Sequence, residues 1–323
     1  MRRNLRELKI SFIALLLTAV AVGAPSVFVT SAQQLETPSV TTTDFAVGEG
    51  PDAIIYDGTS VWVANRYGNS VSKLRPSDGV TLGTYSVGER PVALATEGAN
   101  VWVVNHWSDS VKKLRASDGA TLGTYTIPGG PIAVLSEGGN IWVASKVGNS
   151  VTKLRASDGV KLGTYNVEKA PVALEHDGAN LWVVNKDSNN VTKLRGSDGV
   201  KLGTYTVGES PAGVVFDGAN VWVTNFYGAS VTKLRASDGV SLGTFSVGDG
   251  PEAVISAGGY IWVVNHGSNS VTKLNPGTGA ALNVYTVGKS PSSVAIEGVS
   301  LWVANTSANT VSRIRNSSTN SVP

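Results

Sequence analysis

The histidines and some acidic residues of this chain are the side chains best suited to acid–base chemistry or to metal binding. The sequence has three histidines and no cysteine, so thiol chemistry is excluded. His106 and His266 each follow a Val-Val-Asn run, whereas His176 lies in a different motif. A histidine beside a carboxylate could act as a general base, and the carboxylates of Asp52 and Glu252 could contribute to a divalent-metal site. Which of these groups meet depends on the fold.

A unit of forty residues recurs through most of the chain. A proline opens each copy, a tryptophan follows eleven residues later, and an aromatic residue closes the copy. Internal similarity at a fixed period indicates a repeat architecture, and it is a stronger guide to the fold than the local propensities of single segments. The prolines are Pro51, Pro91, Pro131, Pro171, Pro211, Pro251 and Pro291; the tryptophans are Trp62, Trp102, Trp142, Trp182, Trp222, Trp262 and Trp302; the closing aromatics are Tyr85, Tyr125, Tyr165, Tyr205, Phe245 and Tyr285.

Each copy contains four short runs rich in Val, Thr, Tyr, Phe and Trp, separated by Gly, Asp, Asn and Ser. In the fifth copy the runs are Ala212–Phe216, Asn220–Asn225, Ser230–Arg235 and Leu242–Val247. No stretch after residue 32 has helical spacing of apolar residues over three turns. Four antiparallel strands per copy, repeated seven times, predict an all-β, seven-bladed β-propeller.

The two ends of the repeat region complement each other. The last copy, which runs from 291 to 315, stops before its fourth strand. The missing strand occurs near the N-terminus, where Phe45 and Val47 precede Tyr85 and Val87 by one period. We therefore predict a propeller over residues 41–315, in which the N-terminal strand completes the last blade and removes an exposed sheet edge.

Residues 1–32 lie outside the repeats and have the pattern of a secretory signal peptide. A basic start precedes an apolar run, Ile10–Ala24, with small-residue cleavage sites after Ala24 or Ala32. We predict that this segment is removed, that the protein is secreted or periplasmic, and that no membrane span remains. A retained anchor is the alternative, because apolar character continues to Val29. Residues 33–40 are interpreted as a linker and residues 316–323 as a polar tail.

Charge and the repeated polar positions point to structure rather than to a polyanion site. Residues 1–32 contain four basic residues and one acidic residue, and their removal leaves a nearly neutral chain with no support for nucleic-acid binding. Lysine, arginine, asparagine and tryptophan recur at fixed positions, which favours pairing, loop capping and packing between blades. The asparagines are Asn65, Asn105, Asn185, Asn225, Asn265 and Asn305, with Ser145 in the remaining place. Cation or sugar binding is the alternative for this row.

One face of the predicted ring breaks the repeat. It carries the loops between strands two and three and the loops between blades, whereas the turns of the opposite face are nearly uniform. Aromatic, histidine and charged residues vary from copy to copy on this loop-variable face, as an asymmetric ligand would require. Relaxed drift of exposed loops is the alternative. The candidate ligand-binding residues are Arg66, Tyr67, Arg90, His106, Trp107, Lys146, Lys186, Phe226, Tyr227, Glu252 and His266.

The repeat motifs resemble those of the YVTN family of β-propellers. The resemblance is carried by V-W-V-x-N, N-S-V-T-K-L, S-D-G and Y-x-V-G-x-x-P, as in Ile261–Asn265, Asn269–Leu274 and Val287–Pro291, and it covers about residues 41–315. It implies a propeller of the kind found in bacterial extracytoplasmic and archaeal surface-layer proteins. It implies no mechanism.

Two groups of enzymes with similar architecture fit less well. Streptogramin lyases are seven-bladed propellers whose site combines histidine, glutamate and magnesium, and their repeats typically read W-F-T-E. Here the corresponding segment is Trp222-Val223-Thr224-Asn225, and His106 and His266 lie four blades apart rather than on adjacent blades. Quinone-dependent dehydrogenases use eight blades and a different tryptophan motif.

We therefore expect a non-catalytic, monomeric propeller that binds a small ligand, a glycan or a protein on its loop-variable face. No cofactor is expected, although a divalent metal near Asp52 and Glu252 stays open because these residues lie two blades apart around the ring. The alternatives are a lyase or hydrolase that uses His106 or His266 with a metal, and a structural component of an envelope or surface layer.

Overall fold

A computed structural model describes residues 40–316, which contain 28 β-strands. The predicted signal peptide, the linker up to residue 39 and the tail from residue 317 lie outside the described residues. The first half of the strands are β1 (Val40–Ala46), β2 (Pro51–Tyr56), β3 (Val61–Asn65), β4 (Ser70–Leu74), β5 (Thr81–Ser86), β6 (Pro91–Glu97), β7 (Asn100–Asn105), β8 (Ser110–Arg115), β9 (Thr121–Thr126), β10 (Pro131–Glu137), β11 (Asn140–Ser145), β12 (Ser150–Arg155), β13 (Lys161–Asn166) and β14 (Pro171–His176).

The second half repeats the same lengths and spacing, and the strands of the fifth copy lie within one residue of the predicted runs. A single 3-10 turn, Lys186–Ser188, interrupts the strands, and none of the described segments is a helix long and apolar enough to cross a membrane. The strands are β15 (Asn180–Asn185), β16 (Asn190–Arg195), β17 (Lys201–Thr206), β18 (Pro211–Phe216), β19 (Asn220–Asn225), β20 (Ser230–Arg235), β21 (Ser241–Ser246), β22 (Pro251–Ala257), β23 (Tyr260–Asn265), β24 (Ser270–Leu274), β25 (Ala281–Thr286), β26 (Pro291–Glu297), β27 (Ser300–Asn305) and β28 (Thr310–Asn316).

The strands form seven four-stranded antiparallel sheets, which confirms the seven-bladed propeller. Blades 1 to 6 each contain four consecutive strands, beginning with β2 to β5. Blade 7 has the order β1-β28-β27-β26, so the N-terminal strand completes it. Phe45 pairs with Val311 across this closure, and its ring lies 5.4 Å from that of Trp302. The predicted ring closure is therefore confirmed.

Buried tryptophans join each blade to the next. Trp102 packs with Ile141, Val143 and Leu154 of the following blade, as the sequence pattern predicts. Six of the seven repeat tryptophans are fully buried, and Trp262 is the exception. Burying a large aromatic side chain removes about 150–250 Å² from water, so these contacts supply much of the stability that a single blade lacks.

The turn between the third and fourth strands explains the repeated Asp-Gly. In blade 2 the carboxylate of Asp118 accepts the N–H of Ala120 and pairs with Arg115 at 3.2 Å. Gly119 has a φ of 73°, a conformation that glycine adopts without strain. The predicted local arginine–aspartate pairing is confirmed, and because these pairs are exposed each one contributes little to stability. The pairs are Arg75–Asp78, Arg115–Asp118, Arg155–Asp158, Arg195–Asp198 and Arg235–Asp238.

The asparagine row is structural. Asn65 is fully buried and donates its amide N–H groups to the hydroxyls of Ser70 and Ser72 at 3.1 and 2.9 Å. Asn105 also accepts the backbone N–H of Gly88 at 3.0 Å, which ties the second strand to the preceding loop between blades. A buried amide in such contacts holds the loops in place and is not accessible to a ligand.

Candidate functional site

Backbone hydrogen bonds position the loops of the loop-variable face in the same way in all seven blades. In blade 1 the N–H of Arg66 donates to the carbonyl of Gly50, directly before the first strand. This contact holds the first residue of each loop against the innermost strand of its own blade. The first loop residue therefore lies near the channel, whereas the second, such as Tyr67, is directed outwards and exposed.

A cavity of about 470 Å³ lies where the first strands of all seven blades converge. We call it the channel-mouth cavity. Its floor and walls are mostly Ala, Val, Ile and Leu, as is usual for ligand sites. Charged side chains reach it from only part of the ring, namely Asp52, Arg66, Lys146, Lys186 and Glu252.

Asp52 and Arg66 form the first charged pair of the cavity. The guanidinium Nη1 lies 3.4 Å from Asp52 Oδ2, and both side chains are largely shielded from solvent. Burial raises the pKa of Asp52 to about 6, with Arg66 opposing the shift and the nearby Glu252 adding to it. The carboxylate of Asp52 therefore changes charge within a physiological pH range.

Glu252 and His266 form the second pair. Glu252 Oε2 lies 3.0 Å from His266 Nδ1, although the ring N–H is not aligned with the oxygen. Contact with the Glu252 carboxylate raises the pKa of His266, and partial burial opposes the shift. The pair, on blade 6, is the one place in the described residues where a site histidine predicted from the sequence meets an acidic side chain. His106 instead holds its Nδ1 3.0 Å from the carbonyl oxygen of Pro131.

Lys146 and Lys186 occupy equivalent positions on the adjacent blades 3 and 4. Neither forms an ion pair with an acidic side chain in the part of the chain that the structure describes. The ammonium of Lys186 lies 5.1 Å from the centroid of the Phe226 ring, which in turn lies 6.2 Å from the ring of His266. Phe226 thus links the basic side of the cavity to the Glu252–His266 pair.

The remaining predicted residues do not line the channel-mouth cavity. Tyr67, Trp107 and Tyr227 are exposed second loop residues, and Arg90 lies over the Trp107 ring at 4.8 Å. Tyr227 packs edge-on against Phe226 at 5.4 Å. Of the predicted residues, four line the cavity, namely Arg66, Lys146, Lys186 and Glu252. Phe226 and His266 lie behind them, in contact with Lys186 and Glu252 respectively, and the other five are not part of the lining.

Two carboxylates were absent from the predicted set of site residues. The sequence analysis considers Asp52 only as a possible metal ligand together with Glu252, yet it occupies the same place in blade 1 as Glu252 in blade 6, and that equivalence was the available signal. Glu175, on β14, accepts the backbone N–H of His176 at 2.8 Å, and burial raises its pKa to about 7. Glutamate is unusual at this strand position, where the other blades have Ile, Ala, Leu or Val.

Metal binding has limited support from these side chains. Within residues 40–316, no group of three or more histidine or acidic side chains is arranged to hold a metal ion. Asp52, Glu252 and His266 interact electrostatically, but Arg66 already neutralises Asp52. Hard cations such as Mg²⁺ and Ca²⁺ favour more oxygen ligands than this cluster offers.

The fold is shared with proteins of different activity. No protein-family model matches the chain, and no curated protein matches it. A solved structure described as a streptogramin B lyase superposes with a TM-score of 0.76 at 17% sequence identity, covering 85% of this chain and 97% of that one. The Kuenenia stuttgartiensis hydrazine synthase superposes with a TM-score of 0.75 at 19% identity, covering 89% and 99%. At these identities the similarity shows the seven-bladed propeller fold and nothing finer.

Proposed function

We propose that this chain is an extracytoplasmic propeller of the YVTN type that binds a small anionic ligand in the channel-mouth cavity, without catalysis. The family assignment rests on the repeat motifs quoted above. The location rests on the sequence of residues 1–32, which lie outside the described structure. The ligand proposal rests on the distribution of charge around the cavity.

The observation that carries the proposal is the pair of lysines on blades 3 and 4. Lys146 and Lys186 line the cavity without an acidic partner among the described residues, whereas Asp52 and Glu252 on the other side contact the basic side chains of Arg66 and His266. A carboxylate or phosphate of a ligand would supply the missing counter-charge. Phe226 offers an aromatic surface between the two sides.

The acidic side of the cavity then selects for hydrogen-bond donors. Asp52 and Glu252 have acceptor oxygens beyond those engaged by Arg66 and His266, so a hydroxyl or ammonium group of the ligand would bind there. A molecule with an anionic end and a donor end fits this polarity. Amino acids, short peptides and hydroxy acids belong to this chemical class.

The test is calorimetric titration of the mature protein with succinate, glutamate and the dipeptide Gly-Glu. At least one of these probes should bind to the wild type, and its affinity should fall at least about tenfold in Lys146→Ala and in Lys186→Ala, as expected for loss of a charge-assisted contact. Lys161→Ala is the matched control, because Lys161 is an exposed lysine on the outer strand of blade 3. Equal effects of all three substitutions would contradict a specific site.

A lyase is the second candidate, and the Glu252–His266 pair favours it. A carboxylate that raises the pKa of an adjacent imidazole can orient it as a general base. The fold is that of a streptogramin B lyase, although the identity of 17% carries no residue role across. Incubation with a streptogramin B, followed by mass spectrometry, tests this candidate. Turnover that His266→Ala abolishes would support it, and an intact substrate with the wild-type protein would eliminate it.

A further inference from the structure

A second cavity, of about 290 Å³, lies on the loop-variable face at the boundary between blades 3 and 4. We call it the boundary groove. Lys146 lines both this groove and the channel-mouth cavity, so one side chain borders both. The groove is lined by Lys146, Val147, Asn149, Lys169, Ala170 and Asp187.

Hydrogen bonds from the loops on both sides hold the main chain of the groove. The N–H of Lys169 donates to Ser188 Oγ at 3.0 Å, and the carbonyl of Lys169 accepts the N–H of Asp187 at 3.3 Å. The next residue, Ala170, donates its N–H to Asn149 Oδ1 at 2.8 Å. Contacts with blade 3 and with blade 4 therefore fix the place from which the Lys169 side chain extends.

The sequence at this boundary departs from the rest of the ring. The position of Lys169 is acidic at four of the other six boundaries and glycine at a fifth, and only Lys289 repeats the lysine. Lys289 is flanked by His266 and Thr306, whereas Lys169 is flanked by a lysine in each neighbouring loop. The acidic equivalents are Glu49, Glu89, Glu209 and Asp249.

Positive charge at this boundary is not neutralised by ion pairs. Lys169, like the lysines of the two flanking loops, forms no ion pair with an acidic side chain within residues 40–316. The adjacent Glu168 pairs with Lys201 instead. Asp187 is the one acidic side chain in the lining of the groove, so three lysines leave this sector positive overall.

We propose that the ligand of the channel-mouth cavity has two acidic groups at its anionic end, and that Lys169 binds the second group in the boundary groove. This inference rests on the proposed function and narrows the chemical class of the ligand. The first acidic group would lie between Lys146 and Lys186, and Lys146 would contact both groups. A peptide ending in glutamate has this arrangement, because its last residue carries a main-chain and a side-chain carboxylate.

The test is calorimetric titration of the mature protein with Gly-Glu and with Gly-Gln, which has the same shape but one acidic group fewer. Gly-Glu should bind about fivefold more tightly or better, a modest factor because Lys169 is exposed. Lys169→Ala should reduce the affinity for Gly-Glu to that for Gly-Gln and leave the affinity for Gly-Gln unchanged. Lys169→Arg keeps the charge and should keep the preference. Lys289→Ala is the matched control, because it removes the equivalent lysine between blades 6 and 7, and it should also keep the preference.

The outcomes separate this inference from the proposed function. Equal binding of Gly-Glu and Gly-Gln, with both weakened by Lys146→Ala and Lys186→Ala, would overturn the inference and leave the proposed function standing. A preference for Gly-Glu that survives Lys169→Ala would also overturn the inference. If neither dipeptide binds, the inference is wrong, and the titrations with succinate and glutamate decide the proposed function on their own.

Discussion

Single buried carboxylates give this propeller its sensitivity to pH. Asp52 and Glu175 both lie on innermost strands, and burial raises the pKa of each. Asp52 has Arg66 as a counter-charge, whereas the contacts of Glu175 are backbone N–H groups. The uncompensated Glu175 should therefore dominate the dependence of stability on pH in this range.

Glu175→Gln should remove that dependence. The pKa of Glu175 is about 7 in the folded state against 4.5 ordinarily, so the folded state binds the proton more tightly. The stabilisation is fully present below pH 4.5 and is lost as the pH rises through 7. Urea unfolding measures the free energy of unfolding of the variant and of the wild type at pH 4.5 and at pH 8.5. Between these two pH values, the variant should gain about 2 to 3 kcal/mol in the free energy of unfolding relative to the wild type. Glu209→Gln, which changes an exposed glutamate, is the control. If the free energies of unfolding of Glu175→Gln and the wild type differed by the same amount at both pH values, the assignment would be refuted.

Glu252→Gln should lower the pKa of His266. The Glu252 carboxylate favours the imidazolium, and an amide of the same shape removes that charge. An NMR titration of the histidine ring protons measures the change directly. The His106 signals provide an internal control, since that ring contacts the carbonyl of Pro131 instead. An unmoved His266 titration would show that the Glu252–His266 contact does not persist in solution.

At the scale of the elements, six of the seven loops between blades are fastened by an asparagine or aspartate of the preceding loop on the same face: the backbone N–H of the loop between blades donates to that side chain. Asn69 Oδ1, for example, accepts the N–H of Arg90 at 2.8 Å, and Asn69 has a left-handed φ of 48°. Asparagine and aspartate tolerate this conformation better than other non-glycine residues. Six blades share the contact, through Asn69, Asp109, Asn149, Asn189, Asn269 and Asn309.

Ala229→Asn should stabilise the protein. Ala229 holds the seventh position with a φ of 42°, and it has no side-chain oxygen to accept the N–H of Gly250. Asparagine would supply the hydrogen bond and relieve the left-handed strain, for a gain of about 1 to 2 kcal/mol. Denaturant unfolding measures the gain, and Asn189→Ala should lose a similar amount in blade 4. A variant no more stable than the wild type would contradict the proposed role of the loop contact.

The sequence was sufficient for the fold because every blade repeats the same local chemistry. Pro, Trp and Asp-Gly recur at the positions where a strand begins, a core forms and a turn closes, so the strands of blade 5 were predicted within one residue. The site was predicted only in part. Trp107 and Lys146 lie in equivalent loops, but the first and second residues of such a loop point in opposite directions. The residue that faces the channel is set by backbone contacts such as the Arg66 N–H to Gly50 O hydrogen bond, which the sequence does not reveal.

For the whole molecule, the closure of blade 7 is the contact that turns a row of blades into a ring. The β1–β28 pair joins residues that are some 270 positions apart, for example Thr41 opposite Arg315. Each blade covers the apolar face of its neighbour, so opening this pair would expose core at both ends of the row. The stability of the ring should therefore depend on this single pair of strands.

A disulfide across the closure should stabilise the protein more than one within a blade. Thr41→Cys with Arg315→Cys links the two ends, whereas Asn140→Cys with Arg155→Cys links facing residues of β11 and β12. The chain has no cysteine of its own, so each variant compares cleanly with and without reductant. Loop-closure entropy predicts about 5.6 kcal/mol for the long loop and about 3 kcal/mol for the short one. Melting temperatures of the oxidised and reduced forms measure both effects. Equal gains would mean that the ring ends already stay together in the unfolded ensemble, or that blade 7 opens without loss of the other blades.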